Sequence, residues 1–214
     1  MEFLDWLPRL AGGLWVSVQV TLLSLLIGVP LGLGFALLSS TRSRVTRIVT
    51  GAVVEVGRGM PALVMLQMVY FGLPEAGVVL DAYWAAVVAL SLTTGAYTSE
   101  IIRAGLRAVP EGEVEAADAL GITRADTLRF VVIPQGLRIA VPALLGFAIL
   151  ILQVSSLAYT IGLPELLSQA YSIGASTFQY LPVLVLAGLL YLVITVPGGW
   201  LVDAFERRLS RHLR

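Results

Sequence analysis

The sequence predicts an all-α, polytopic membrane protein, and three observations lead to this fold class. Of the 214 residues, 57% are hydrophobic and only 13% are charged, a composition unlike that of soluble domains. The uncharged residues form long runs, and a helix needs about 20 apolar residues to cross a hydrocarbon core of about 30 Å. Backbone groups in lipid must pair within their own segment, which excludes an open sheet. We therefore expect five transmembrane helices.

The first span is predicted at 14–38, inside the uncharged run from Leu10 to Thr41. That run is too long for a secretory signal peptide and its Arg cluster follows it, so we expect it to be retained. The second span, 55–73, has a short apolar run, and a buried or re-entrant helix is its alternative. All five spans belong to one domain, 1–214, and the remaining three are predicted at 84–102, 137–161 and 181–201.

Arginine is the only fixed cation, because the chain has no Lys, and its distribution predicts an orientation. Apart from Arg9, every Arg lies at the first connection, at the third connection or in the C-terminal tail: Arg42, Arg44, Arg47, Arg58, Arg103, Arg107, Arg124, Arg129, Arg138, Arg207, Arg208, Arg211 and Arg214. The positive-inside rule places these segments in the cytoplasm, with the N-terminus outside and the C-terminus inside. The loop 103–136 is then cytoplasmic.

The residue inventory excludes several classes of chemistry. Zero Cys excludes disulfides, thiolate zinc sites and cysteine nucleophiles, and the only His, His212, lies close to the end of the sequence. We therefore expect neither a catalytic site nor a metal site on this chain. A phosphate-binding loop needs its Lys, so any ATP hydrolysis must belong to another protein.

Local signals predict a short helix in the loop 103–136. Pro110 suits the first position of a helix, and Glu111 and Glu113 lie where the helix dipole favours acids. Gly121 suits a left-handed cap at the other end, so the helix should cover about 110–120.

A second helix is predicted to follow, because Thr123 and Asp126 have the spacing of a capping box, and Pro134 is expected to close it. In the first helix, Ala116 and Ala117 leave one side thin enough for a groove of another protein to close onto the backbone. A thin, capped cytoplasmic helix favours docking. The alternative is a solvated connection whose acids and Arg pair with one another.

Polar residues inside the spans are candidates for a substrate path, because such groups usually face a bundle interior or water. Bonding within the same helix or to a neighbour is the alternative for each Ser and Thr. Gln67 and Gln153 are stronger candidates, since an amide has more hydrogen-bonding groups to satisfy. The candidates are Gln67, Thr93, Thr94, Tyr97, Gln153, Ser155 and Ser156.

The loop also carries a spaced motif: Glu115-Ala116-Ala117, three residues, Gly121, nine residues, and then Val131-Val132-Ile133-Pro134. This pattern resembles that of permease subunits of binding-protein-dependent ATP-binding-cassette (ABC) importers. The similarity covers about Gly13 to Leu209, and further segments resemble the polar amino acid branch of that family: Arg58-Gly59-Met60-Pro61, Gly95-Ala96-Tyr97, Pro134-Gln135, Ile161-Gly162 and Glu206-Arg207-Arg208-Leu209.

The resemblance implies a type I importer fold and several partners. In that family a coupling helix of this loop inserts into a cleft of a separate ATPase, so Glu115, Ala116, Ala117 and Gly121 would make that contact here. The expected partners are two ABC ATPase subunits, a second permease chain and an extracytoplasmic solute-binding protein, in a bacterial or archaeal cytoplasmic membrane and without nucleic acid. ATP and Mg would be bound by the ATPase, so no cofactor is expected on this chain.

Two segments depart from the family pattern. Lys-Asp-Thr-Ser-Leu is replaced by Gln153-Val154-Ser155-Ser156-Leu157, which removes an ionic pair near the expected path, and Asn-Ser-Gly-Ala-Tyr is replaced by Thr93-Thr94-Gly95-Ala96-Tyr97. Either a different partner permease supplies charged contacts, or the solute is less typical than a standard polar amino acid. The predicted function is ATP-driven import of a polar amino acid or a similar solute by alternating access. A secondary carrier or channel without an ATPase is the alternative.

Overall fold

The computed structural model describes residues 2–41 and 43–210, and the regular structure in these residues is helical. The all-α fold class is therefore confirmed. Arg42, Arg211, His212 and Arg214, which entered the predictions above, lie outside the described residues. The helices are α1 (Glu2–Ser39), α2 (Arg44–Gly59), α3 (Ala62–Gln67), α4 (Ala82–Arg107), α5 (Glu111–Ala119), α6 (Arg124–Thr127), α7 (Ile133–Val154), α8 (Leu166–Thr177) and α9 (Tyr180–Ser210).

Four helical segments among the described residues are long and apolar enough to cross a membrane: Asp5–Ser39, Ala82–Arg107, Arg124–Ile161 and Tyr180–Arg207. They contain the predicted first, third, fourth and fifth spans. The predicted second span falls on a bent pair, in which α2 is followed by a helical segment, Ala62–Ala76, at an angle of 100°. This pair is a broken span or a re-entrant segment, so the alternative noted for this region stays open.

The bend between α2 and α3 has a local cause in the sequence Gly59-Met60-Pro61. Pro61 has no N–H, and its ring disfavours helical geometry at the residue before it. Met60 accordingly is extended, with φ of −80° and ψ of 126°. Pro61 is then the N-cap of α3, where its fixed φ is tolerated.

The buried apolar residues form two clusters. In the first, α1, α3, α4 and the turn after α7 meet around Val20, Leu66, Leu90 and Ile161. In the second, the start of α1 packs with α8 and α9: Trp6, Leu10, Leu166, Ala170, Ile173, Val183 and Ala187. Helix α4 lies at the centre of the bundle, since it packs against α1, α2, α3 and α7.

Helices α4 and α7 touch closely near the ends that flank the loop 103–136. A side chain at Gly136 would place its Cβ 2.7 Å from the Cα of Leu106, so the two backbones are almost in contact. Gly105 makes the reciprocal contact with Gly136 and Ala140. The two helices that flank the loop 103–136 are thus held together where the loop leaves the bundle.

Glu165 fixes α8 against two spans. It is fully buried and is the N-cap of α8, accepting hydrogen bonds from the N–H groups of Leu167 (2.9 Å) and Ser168 (2.8 Å). It also accepts from the hydroxyls of Ser17 on α1 (3.3 Å) and Tyr191 on α9 (3.2 Å). Burial raises the pKa of the Glu165 carboxyl above its usual value, and these hydrogen bonds oppose that rise.

Candidate functional site

The end of α5 has the left-handed cap that its sequence predicts. Gly121 has a φ of 70°, a conformation that residues with a Cβ adopt only at a cost. Its N–H donates to the carbonyl of Asp118 (2.9 Å), and the N–H of Ile122 donates to the carbonyl of Ala117 (3.0 Å). These two bonds form a Schellman motif, which stops the helix sharply and turns the chain toward α6.

The predicted docking residues of α5 lie on two faces. Glu115 and Ala116 are exposed, whereas Ala117 is only 4% exposed and packs toward the segment that follows. The helix begins at Glu111, with Pro110 as its N-cap rather than its first residue. The exposed face therefore combines a carboxylate with a methyl group and no bulky side chain between them.

Helix α6 begins with the predicted capping residue but does not end where predicted. The Thr123 hydroxyl accepts from the N–H of Asp126 (3.2 Å) and donates to its carboxylate (2.7 Å). The prediction that Pro134 closes this helix is wrong, because a π-helical turn, Leu128–Val132, carries the chain on into α7. Pro134 lies in the first turn of α7, where a missing N–H is tolerated.

A shallow cleft of about 440 Å³ lies between α5 and the α6 segment. Two large apolar side chains beside it, Leu120 (79%) and Phe130 (66%), are strongly exposed. We call this region the loop surface, and define it by Leu120, Phe130 and the residues of the cleft: Val114, Glu115, Asp118, Arg124, Thr127, Leu128 and Val132.

A second cavity, of about 270 Å³, lies at the bend between α2 and α3. We call it the break cavity. One side is formed by the bend itself, 58–62, and by Thr93 and Tyr97 of α4. The other side is formed by α7 and is apolar: Phe147, Leu150, Ile151 and Val154.

Arg58 and Tyr97 hold the bend side of the break cavity in place. The Tyr97 hydroxyl donates to the Arg58 carbonyl (3.0 Å), and the Arg58 guanidinium carbon lies 5.8 Å from the Tyr97 ring centroid. Tyr97 also stacks on Phe147 of α7, with centroids 5.6 Å apart. Arg58 makes a 3.7 Å ion pair with Glu55, but its Nε atom is buried and has no acceptor among the described residues. The Nε–H is thus enclosed by protein, and Arg58 is the one charged residue that lines the cavity in the described part of the chain.

Two of the residues predicted for the substrate path, Thr93 and Tyr97, line the break cavity. Thr93 is buried and its hydroxyl donates to the carbonyl of Ala89 (3.1 Å). Thr94 is fully buried on the neighbouring face of α4, where its side chain packs against Gly28 of α1.

The other candidates do not line the break cavity. Gln67 donates its side-chain N–H to the hydroxyl of Thr160 (3.0 Å), and Gln153 is exposed. Ser155 is fully buried and donates to a carbonyl of its own helical segment, and Ser156 donates to the carbonyl of Gln153 (2.7 Å). For both serines the geometry matches the structural alternative, bonding within the helix.

Most of the cavity could not be found from the polar residues of the spans. Arg58 entered only through the distribution of Arg and the family resemblance, and the α7 wall consists of Phe147, Leu150, Ile151 and Val154, which look like ordinary span residues. The available signal was the Gly and Pro at 59 and 61, since such pairs break helices. Within the described part of the chain, no group of three or more acidic or His side chains could hold a metal ion.

The sequence matches the family described as "Binding-protein-dependent transport system inner membrane component" over residues 28–211. It is 37% identical over 207 residues to the arginine transport system permease protein ArtQ of Bacillus subtilis (strain 168), covering 96% of this chain and 94% of that protein. The L-cystine transport system permease protein TcyB of the same organism is also 37% identical over 207 residues, covering 96% and 88%.

Solved structures agree in fold. An amino acid ABC transporter with histidines matches at a TM-score of 0.90 and 36% identity, over 97% of each chain. The inward-facing MetNI methionine ABC transporter matches in fold, with a TM-score of 0.71 and 23% identity over 96% of this chain and 99% of that one. The chain therefore belongs to the family of inner membrane components of binding-protein-dependent transport systems, and is a permease subunit of an ABC importer rather than an enzyme.

Proposed function

We propose that this chain forms half of the path by which an amino acid enters a bacterial or archaeal cell across the cytoplasmic membrane. The proposal is supported by relatives whose names specify arginine and cystine transport, and by the high similarity to an amino acid ABC transporter. The N-terminus is outside, and the C-terminus and α5 are in the cytoplasm, in keeping with the distribution of Arg.

The break cavity is the proposed solute site, and the observation that carries this assignment is that Arg58 is its one charged lining residue in the described part of the chain. A planar guanidinium recognises a carboxylate through paired hydrogen bonds, and every free amino acid has an α-carboxylate. The volume of about 270 Å³ is close to the lower end of the range for small-molecule sites, about 300 Å³. Such a space suits a single amino acid.

The loop surface is the proposed ATPase contact. Glu115 belongs to it, the exposed Ala116 and the turn at Gly121 lie next to it in the chain, and Ala117 between them is buried. Two ATPase subunits bind ATP and Mg, because this chain lacks the Lys of a phosphate-binding loop and takes no cofactor itself. The apolar Leu120 and Phe130 provide area to bury against the ATPase.

A second permease chain, identical or different, completes the path, and a solute-binding protein docks on the outer face. Helix α2 supports the first of these partners, because one face of it presents apolar side chains that are at least half exposed: Val45, Ile48, Val49, Val53 and Val56. An apolar face of this kind is covered by lipid or by another helix.

The proposed mechanism is alternating access. ATP binding draws the two ATPases together, and α5 passes that displacement to α4 and α7, which are packed together at Gly105 and Gly136. These helices carry opposite sides of the break cavity, so their movement changes which face of the membrane the cavity opens to. ATP hydrolysis and release return the permease to its inward-facing form.

The test is reconstitution in liposomes with the ATPase and binding protein encoded beside this gene. We expect solute uptake only when both partners and ATP are present. Uptake by this chain without an ATPase would establish the secondary carrier instead.

Orientation has a separate test, because the chain contains no Cys. In single-cysteine variants, Gly112→Cys on α5 should react with an impermeant thiol reagent only from the cytoplasmic side. Ala175→Cys, exposed on α8, should react only from the outside. The reverse pattern would overturn the proposed orientation.

A further inference from the structure

We propose that the break cavity selects amino acids with an uncharged, apolar side chain and discriminates against basic ones such as arginine. This inference rests on the proposed function of the cavity as the solute site. It goes beyond that function, because it follows from the composition of the α7 wall together with the charge of Arg58.

The two sides of the cavity differ in chemistry. The bend side includes one cationic residue, Arg58, and two hydroxyl-bearing residues, Thr93 and Tyr97. The α7 side offers only carbon, from one aromatic ring and three aliphatic side chains: Phe147, Leu150, Ile151 and Val154. A solute held by its carboxylate at Arg58 therefore directs its side chain toward an apolar wall, where burial of carbon is favourable.

The cavity has no acidic lining residue, and Arg58 is its one charged side chain in the part of the chain that the structure describes. Glu55 reaches Arg58, but its side chain is 76% exposed and it does not line the cavity. The α-ammonium is common to all free amino acids, so only the side chain can distinguish them. A guanidinium or ammonium group on the solute's side chain would lose its water, meet no carboxylate and lie near another cation. Each of these effects weakens binding.

Val154 is the position of this wall at which a single charge tests the inference. Its apolar side chain lines the cavity, whereas the neighbouring Gln153 is exposed and does not line it. A carboxylate at this position would give a basic group the partner that the cavity lacks. Val154 is the residue that we assign to the discrimination.

The direct test measures solute binding to the purified permease–ATPase complex by equilibrium dialysis, without the binding protein, whose own selectivity would mask that of the cavity. The probes are radiolabelled L-leucine and L-arginine. We expect L-leucine to bind at least about tenfold more tightly, given the cost of an unpaired buried charge. Equal binding, or tighter binding of L-arginine, would overturn the inference while leaving the solute site itself in place.

Failure of the proposed function gives a different result. If neither probe binds, and L-glutamine also does not bind, the cavity is not a solute site and both proposals about it fall. ATP-dependent uptake in liposomes would still be measured separately, so the role of the chain as a coupled permease can survive that outcome.

Variants of Val154 locate the effect. Val154→Asp should shift the ratio of the two affinities toward L-arginine by at least about tenfold, as a nearby opposite charge favours the cation. Val154→Asn has almost the same shape without the charge, and should shift the ratio by less than about threefold. Equal shifts in both variants would overturn the role of charge. If Val154→Asp does not assemble, the inference is decided by the ratio of L-leucine to L-arginine affinity in the wild-type complex alone.

Discussion

The loop surface and the break cavity are held together in different ways. The caps of α5 and α6 are formed by bonds between residues that are close in sequence, such as Gly121 to Asp118 and Asp126 to Thr123. The break cavity is closed by contacts between distant parts of the chain, such as Tyr97 with Phe147. The shape of the loop therefore depends mainly on short-range bonds, whereas the cavity changes shape whenever its helices move.

This difference suits the two roles proposed for them. A coupling element must keep its shape while it transmits force, and the Schellman motif at Gly121 gives it a fixed end. A solute site that opens to alternate sides must lie between elements that can separate. Helices α4 and α7 connect the two regions, because both line the cavity and both flank the loop. Variants in the loop should therefore change the coupling of uptake to ATP hydrolysis, and variants in the cavity should change the affinity for solute.

The largest effect is expected for Gly121→Asp in the loop. A residue with a Cβ at a φ of 70° costs roughly 1 kcal/mol, and a new carboxylate at the C-terminal end of α5 is repelled by the helix dipole. We expect ATP-dependent uptake to fall to background while the affinity of the complex for solute stays unchanged. Uptake and ATP hydrolysis in liposomes, with equilibrium dialysis alongside, provide the measurement.

Gly77→Asp is the matched control for this variant. Gly77 also has a positive φ, of 80°, and open space around it, but it lies in the connection before α4, away from the loop surface. It carries the same backbone strain and should keep its uptake. Equal loss of uptake in both variants would attribute the effect to strain and remove the coupling role of Gly121.

Arg58→Gln should have the converse effect in the cavity. Loss of a hydrogen bond to a charged group costs about 2 kcal/mol, so solute affinity should fall about 30-fold while basal ATP hydrolysis is retained. Arg58→Lys keeps the charge but loses the planar guanidinium. Its solute affinity should lie between those of the wild type and Arg58→Gln. Affinity that is unaffected by Arg58→Gln would mean that the carboxylate binds elsewhere.

The loop could be predicted from the sequence because its signals are local. Gly121 and Thr123 act on partners a few residues away, and the structure shows both caps as expected. Pro134 was misjudged because a π-helical turn before it keeps the chain helical, and no residue pattern marks such a turn. The bend at Met60 was not predicted by the five-span pattern. Apolar composition indicates how long a helical segment is, but not where its axis changes direction.

The cavity could be predicted only in part, because its members meet across long stretches of sequence. Thr93 and Tyr97 were found as polar residues in a span, but the bond from Tyr97 to the Arg58 carbonyl joins residues 39 apart. Val154 was noted only as part of a changed segment, and its apolar side chain gave no reason to prefer it over the polar Gln153. Which of two neighbours faces a cavity depends on packing that the sequence does not show.

A smaller effect is expected for Tyr97→Phe. The change removes one neutral hydrogen bond, to the Arg58 carbonyl, and keeps the ring that stacks on Phe147. Such a bond contributes about 1 kcal/mol, so solute affinity should fall about fivefold through a looser bend. Tyr97→Leu also removes the stacking on Phe147, and its solute affinity should fall further. If Tyr97→Phe equals wild type in equilibrium dialysis, the hydroxyl does not position Arg58.

The smallest effect is expected for Gln153→Ala. On sequence grounds Gln153 was among the stronger candidates for the substrate path, but its side chain is exposed and lies outside the break cavity. Replacing an exposed side chain usually changes free energies by no more than about 0.5 kcal/mol, so affinity should change by less than about twofold. A larger change, with Val154→Ala near wild type, would reverse the assignment of these two neighbours. Val154 would then no longer be part of the apolar wall, because Gln153 and not Val154 would face the solute.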